Sequence, residues 1–244
     1  MRRRSILAAG AAGAAASLTR LGPARADEPV DVALVLAVDV SRSVDEDEAR
    51  LQREGYRAAV TDPKVVEAIR GGMLGSVAIA YTEWAGIEFQ RLLLPWKRIG
   101  SQRDADEWAA ALEAAPRISL SWTSVSGAIA HAQSVLAQCP HEATRRVIDV
   151  SGDGVNNSGP PAEVARDRAV AEGITINGLP ILNDRPTFGR APPIPLDIYY
   201  RESVIGGQGA FMIAAEDFES FGNAVRRKLI REIAGLSGPL VEYA

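Results

Sequence analysis

After residue 26, short β-branched apolar runs alternate with helix-like stretches almost to the end of the chain. Such alternation favours a mostly parallel sheet with helices on both faces, because every parallel crossover needs a long connection and each helix buries one face on the sheet. Hydrophobic spacing predicts strands over 30–40 (VDVALVLAVDV), 76–82, 88–94, 146–150, 174–182 and 209–214, with helices over 45–60, 104–115, 123–138, 162–172 and 216–234. Trp84-Ala85-Gly86 reads as a hairpin, which makes the strand after it an antiparallel edge. The expected architecture is α/β: a three-layer, doubly wound, mostly parallel sheet with one antiparallel edge strand. No repeat or shift in composition marks a second domain, so residues 27–244 are expected to form one. The proline-rich stretch 183–195 is read as a surface excursion or an interaction segment.

Residues 1–26 read as an address. Arg2-Arg3-Arg4, an Ala/Gly-rich apolar stretch and Ala24-Arg25-Ala26 form the three regions of an export signal, and the apolar part is too short and too small-residue-rich for a convincing membrane span. Arg3-Arg4-Ser5-Ile6-Leu7 resembles a twin-arginine signal, with Sec export as the alternative. The expected location is periplasmic or secreted, with no stable membrane span once the signal is removed. That segment holds five Arg and no acidic residue, so residues 27–244 carry 22 basic against 31 acidic side chains, a net charge of -9. An acidic protein without a basic patch is not expected to bind nucleic acid. A hydrophobic content of 47% over 244 residues is ample for a packed core and excludes disorder.

Cys139 is the only cysteine, so no intramolecular disulfide can form, and it reads as a small buried filler. His131 and His141, ten positions apart, lack the spacing that sets two imidazoles on one helical face for zinc; both are read as structural or solvent-facing.

Ligands of open α/β sheets bind beyond the carboxyl ends of the strands, so polar residues just after predicted strands come first. Three clusters qualify: Asp39-Val40-Ser41-Arg42-Ser43, Thr123 ahead of a helix, and Asp153 in Ser151-Gly152-Asp153-Gly154. Each has an ordinary explanation when taken alone. Ser43 with Glu46 fits a capping box, Thr123 suits a helix N-cap, and Asp153-Gly154 suits a turn. Together they supply five side chains with oxygen donors, two of them carboxylates, and no His or Cys. That donor set suits a hard cation, Mg²⁺ first, with Mn²⁺ able to substitute.

On these residues the chain resembles the von Willebrand factor A domain family. Asp39-x-Ser41-x-Ser43 is similar to that family's metal-ion-dependent adhesion site, Thr123 to its threonine element and Asp153 to its second aspartate. The closing stretches 206–211 (GGQGAF), 215–218 and 227–232 (RKLIRE) are similar to an exported bacterial family of von Willebrand A-like proteins of unknown function. The resemblance implies a metal held directly by Ser41, Ser43 and, in one state, Thr123, with Asp39 and Asp153 acting largely through water. It further implies a partner protein whose Asp or Glu completes the shell, a non-enzymatic role, and in some members a shift of the closing helix. Trp122, Trp84 and Arg42 are candidates for the rim of such a site, Trp122 first; the competing readings are core or edge packing for the tryptophans and pairing with Asp45 or Glu46 for Arg42.

The best enzymatic rival is a phosphohydrolase of the haloacid dehalogenase type. Asp39 would be its nucleophile, and Gly152-Asp153-Gly154-Val155-Asn156-Asn157 resembles that superfamily's metal motif. Ser41 stands where a second carboxylate would protonate the leaving group, and Asn157 replaces the motif's final Asp. A serine hydrolase is less favoured still, because Ser124-Val125-Ser126-Gly127 lacks the first Gly of a nucleophile elbow.

Overall fold

The structure, a computed structural model, describes residues 27–182, 194–236 and 238–244. The expected export segment 1–26 and most of the proline-rich stretch 183–195 lie outside the described residues. The elements run β1 (Asp27–Asp39), α1 (Glu46–Thr61), α2 (Pro63–Arg70), β2 (Val77–Trp84), β3 (Gln90–Ile99), α3 (Gln102–Ala114), α4 (Val125–Leu136) and β4 (His141–Gly152). They continue with α5 (Ala162–Ala171), β5 (Thr175–Pro180), α6 (Leu196–Tyr199) with a π-helical turn Tyr200–Val204, β6 (Met212–Ala214), α7 (Phe221–Ala234) and β7 (Val241–Tyr243). The sheet order is β3-β2-β1-β4-β5-β6-β7, and every neighbouring pair is parallel except the β2–β3 hairpin. This is the α/β arrangement expected, with its antiparallel strand at an edge.

Side chains alternate across β1, so Val32, Leu34, Leu36 and Val38 face one layer while Ala33, Val35 and Ala37 face the other. The first layer is α1, α2, α3 and α7, and its core includes Tyr56, Tyr81, Trp108 and Phe221 in successive edge-on ring contacts. The second is α4, α5 and α6. Among the described residues, no helix is long and apolar enough to cross a membrane.

The differences from the expected elements have local causes. Asp62 accepts from Lys64 N at 2.8 Å ahead of Pro63, which ends α1 and starts α2, a helix the hydrophobic spacing did not separate. The closing helix begins at Phe221 rather than Glu216, because Asp217 Oδ1 accepts from Ser220 N at 2.7 Å and holds 217–220 in a turn. Strand β4 starts at His141, well before the expected Arg146, since its first half alternates half-buried and exposed side chains and carries no apolar run. Strand β7, three residues long, was not expected at all. Cys139 is half-buried, and burial raises its thiol pKa, in keeping with an inert filler. His131 is held neutral by burial, and His141 Nδ1 lies 2.9 Å from the Glu28 carbonyl.

Two sets of charges are buried in the first layer. Glu83, at the end of β2, takes Arg53 of α1 and Arg91 of β3, each at 2.7 Å, and both arginines also donate to the Pro116 carbonyl. This ties the 115–124 connection, which leads to Thr123, to the end of the sheet. Lys228 of α7 reaches Asp149 of β4 at 2.7 Å and Glu232 at 3.0 Å, while Asn177 of β5 donates to Glu232.

Removing one partner of a buried pair leaves an uncompensated charge. Glu83→Gln is therefore expected to destabilise the fold by roughly 3–5 kcal/mol, read as a lowered denaturant midpoint. Burial raises Asp149 to about 7, with Lys228 opposing the shift and Glu232 adding to it. A carboxyl whose folded pKa lies above its unfolded value stabilises fully below the unfolded pKa, and that contribution is lost as pH rises through the folded one. Asp149→Asn is expected to flatten the decline in stability between the ordinary carboxylate range and about pH 7, measured by denaturant unfolding across that window.

Candidate metal centre

The capping roles open to Ser43 and Thr123 belong to neighbours. The capping box of α1 is Asp45 with Glu48: Glu48 N donates to Asp45 Oδ1 at 3.0 Å and Asp45 N to Glu48 Oε2 at 2.8 Å. Ser43 caps nothing. Likewise Ser124, not Thr123, is the N-cap of α4, its hydroxyl accepting from Gly127 N at 3.2 Å. The hydroxyls of Ser43 and Thr123 are thus left to the site itself.

Asp39 ends β1 and Asp153 follows β4, and because these strands are parallel neighbours both carboxylates lie at the same end of the sheet. Ser41 N donates to Asp39 Oδ1 at 2.7 Å, which turns the chain after β1. Ser41 Oγ lies 2.9 Å from Ser43 Oγ, and Ser43 Oγ donates to Asp153 Oδ1 at 2.6 Å, across 110 residues of sequence. Gly154 sits against Thr123, whose Oγ1 would lie 3.7 Å from a Cβ at that glycine. Four of the five oxygen-bearing residues are therefore linked directly or through one neighbour, and the fifth stands beside them.

The electrostatics of this cluster are one-sided. Asp39 is fully buried, and its carboxyl pKa is pushed well up by desolvation first and by Asp153 second. Its Oδ2 has no hydrogen-bond partner among the described residues. A Cβ at Gly152 would sit 2.9 Å from that oxygen, so only glycine leaves the carboxylate in place. Two carboxylates at close quarters, one with an orphaned buried oxygen, together with two neutral hydroxyls, fit a divalent cation. No group of three or more His, Cys, Asp or Glu suited to a metal occurs among the described residues, so an ion at this cluster would need serine and threonine oxygens as well.

The family model described as "Protein of unknown function (DUF1194)" matches residues 29–237. The chain belongs to that family. No curated protein matches it. Among solved structures it is similar to proximal thread matrix protein 1 (PTMP1) from the mussel byssus with a zinc-occupied MIDAS (metal-ion-dependent adhesion site) motif, at 12% identity and a TM-score of 0.60 over 84% of this chain and 48% of that one. It is also similar to a von Willebrand factor type A protein from Catenulispora acidiphila, at 14% identity and TM-score 0.56 over 84% and 43% of the two chains. The conserved hypothetical protein BatB from Bacteroides thetaiotaomicron matches at 21% identity and TM-score 0.55, over 84% of this chain and all of its own. The chain spans about half the length of the mussel and Catenulispora proteins. These likenesses show the fold: the DUF1194 chain is a von Willebrand A-like domain.

In this DUF1194 domain the three rim candidates separate. Trp84, the register partner of Asp39, is fully buried in the second-layer core and packs beside the site from within rather than forming its exposed rim. Arg42 is exposed. Trp122 exposes 58% of its surface and, with φ 72°, is the one non-glycine residue among those described in the left-handed region. Three further residues shape the site. Asn157 Oδ1 accepts from Thr123 N at 2.8 Å and Asn156 Oδ1 from Ser126 N at 3.1 Å, so both amides hold the threonine loop rather than face Asp39. The buried hydroxyl of Tyr200 would lie 3.1 Å from the same Gly152 Cβ, which brings it close to Asp39 Oδ2. The two asparagines stood in the glycine-aspartate motif, but no local pattern marks Tyr200, which arrives from the far side of the proline-rich stretch.

Asp39→Asn keeps the acceptor for Ser41 N and removes the buried charge beside Asp153. In chelator at neutral pH this variant is expected to unfold at a higher temperature than the parent chain, a direction that a purely structural aspartate would reverse.

Proposed function

We propose that the chain is an exported, metal-dependent protein-binding module. Asp39, Ser41, Ser43, Thr123 and Asp153 hold Mg²⁺, with Mn²⁺ as a substitute, and the partner is another protein offering an Asp or Glu. The observation that carries this reading is the contact chain Ser41–Ser43–Asp153, at 2.9 and 2.6 Å, above a buried Asp39 with an orphaned oxygen. When bound, a divalent ion supplies an open electrophilic position that a carboxylate oxygen can fill. Ser41 and Ser43 contribute neutral oxygens, and Asp39 and Asp153 balance charge without quenching that electrophilicity. The half-exposed Trp122 flanks the threonine and gives an incoming acidic segment an aromatic surface to rest on. The zinc-occupied MIDAS of the mussel protein supports a divalent ion at a site of this kind. Mg²⁺ in particular rests on the all-oxygen donor set. Export rests on the features of residues 1–26.

The phosphohydrolase reading is less well supported by the same geometry. Ser41, in the position of its general acid, is engaged with Ser43, and the two asparagine amides of its metal motif hold the threonine loop. We therefore read the site as non-catalytic.

Titration of the chain lacking residues 1–26 with Mg²⁺ is expected to give saturable heat. At about a hundred times Kd the ion should stabilise the fold by roughly 2.7 kcal/mol, seen as a raised thermal midpoint. Asp39→Asn and Asp153→Ala are expected to lose both signals. Protein partners from the cell envelope should be retained in Mg²⁺ and released by chelator. Absence of any Mg²⁺ effect in the parent chain, or turnover of a phosphate ester that Asp39→Asn abolishes, overturns the reading.

A further inference from the structure

Tyr200 reaches the oxygen cluster across two strands of the sheet. It opens the π-helical turn Tyr200–Val204, closed by Ile205 N donating to the Tyr200 carbonyl at 3.0 Å, and turns of this kind are frequent at functional sites. The turn is pinned at several points. Arg166 of α5 donates to the Glu202 carbonyl at 2.6 Å, Ser203 Oγ donates to Glu163 at 2.7 Å, and Gly206 pairs with Ile176 of β5 through both main-chain groups. Tyr200 is thereby fixed in place and fully buried.

Two strand glycines let its side chain through. A Cβ at Gly178, inside β5, would meet the Tyr200 ring at 2.8 Å, and a Cβ at Gly152, the last residue of β4, would meet its hydroxyl at 3.1 Å. Glycine weakens a strand and often marks a place where another group comes close. At Gly152 two groups do so, because Asp39 Oδ2 lies 2.9 Å from the same Cβ position. The two oxygens are therefore no more than about 6 Å apart, the reach of one hydrogen bond or of two through a single water.

Both oxygens are buried, and neither has a hydrogen-bond partner among the described residues. A buried tyrosine hydroxyl and a buried carboxylate oxygen each ordinarily find one. Their chemistry is complementary. Burial first and Asp39 second push the phenol pKa well up, so the hydroxyl keeps its proton and faces the carboxylate as a donor. A carboxylate oxygen carries two lone pairs, so a phenol on Asp39 Oδ2 leaves the other open toward a cation. The preceding residue serves the same region: the Tyr199 hydroxyl accepts from Asn156 N at 3.3 Å, and Asn156 Oδ1 holds Ser126 N of the threonine loop.

We propose that Tyr200 is a positioning residue of the metal centre, its hydroxyl donating to Asp39 Oδ2, directly or through one water, and fixing the orientation of that carboxylate. The inference rests on the metal reading above and adds to it a residue from the far side of the proline-rich stretch. Losing the donor behind a metal-site side chain costs roughly 10–100-fold in metal affinity.

The test titrates Mg²⁺ into the chain lacking residues 1–26, by calorimetry and thermal shift. Tyr200→Phe keeps the ring over Gly178 and removes only the hydroxyl. Its Kd for Mg²⁺ is expected to rise about tenfold, while its thermal midpoint in chelator does not fall. A role in packing alone gives the reverse, a lowered midpoint in chelator with Kd unchanged. With ¹³C at the tyrosine ring ζ carbons of the parent chain, the resonance that Tyr200→Phe removes is expected to move on adding Mg²⁺. Gly178→Ala presses on the ring, alters none of the five oxygen-bearing residues and is also expected to weaken Mg²⁺ binding. Mg²⁺ binding by the parent chain with Kd unchanged in Tyr200→Phe, or with the Tyr200 resonance unmoved, overturns this inference and leaves the metal reading standing. Where Tyr200→Phe does not fold, an unchanged Kd in Gly178→Ala has the same force. No Mg²⁺ binding by the parent chain overturns both.

Discussion

The parallel pairing of β1 with β4 positions everything else at the end of the sheet that carries the oxygen cluster. With Val38 opposite Ser151, Asp39 and the Gly152–Asp153 step leave the sheet side by side, and two short excursions suffice to bring Ser43 to Asp153. One residue of slip would turn Asp39 to the other face and bury the β1 apolar set the wrong way round. The register is therefore held by two cores at once, one on each side of the strand. The oxygen cluster draws its precision from packing remote from it.

Buried charges elsewhere in the domain are compensated, which sets Asp39 apart. Glu83 is met by two arginines, and Asp149, in the middle of β4, by the ammonium group of Lys228. Burying an ionised carboxylate unaided costs several kcal/mol, and where the fold needs one for structure it supplies a cation from a neighbouring helix or strand. Asp39 is as deeply buried, yet the groups acting on it are Asp153, which raises its pKa, and hydrogen bonds from Ser41 and Asp153, which lower it; no basic side chain is among them. Glu83 and Asp149 each have a cation supplied by the fold, and Asp39 does not, which suits it to neutralisation by a bound ion.

Fold and site were legible in the sequence to different depths. The alternation of apolar runs and helical spacing carried the sheet, its helical layers and the hairpin edge, because those patterns follow directly from burial. Strand β7 and the start of β4 escaped because their pairing rests on main-chain bonds with few buried side chains. Asp39, Ser41, Ser43, Thr123 and Asp153 could be picked out because each follows a strand or opens a helix. The roles of Ser43 and Thr123 became distinct only when Asp45 and Ser124 proved to be the caps. Tyr200 could not be found, since its approach to Asp39 depends on where a π-helical turn places it across β4 and β5. Trp84 stood open between rim and core, because a tryptophan at a strand's end looks the same in sequence whether it turns inward or outward.

Trp122 is where the backbone itself reports on the site. A bulky side chain at φ 72° carries strain of about 1–3 kcal/mol that surrounding structure must override. Those constraints are on both sides of it: Leu120 N donates to the Val40 carbonyl, pinning the chain beside the Asp39 loop, and Thr123 is held by Asn157 through both its N–H and its carbonyl. Only Ser121 and Trp122 lie between these two fixed points, and the chain passes from one to the other through the left-handed conformation at Trp122. Glycine would satisfy the backbone at no steric cost. A tryptophan in that position, more than half exposed and next to Thr123, adds apolar surface at the mouth of the oxygen cluster instead of burying it in either core. The strain is tolerated for an aromatic ring that lies outside both cores and next to Thr123, which accords with the contact role proposed for it.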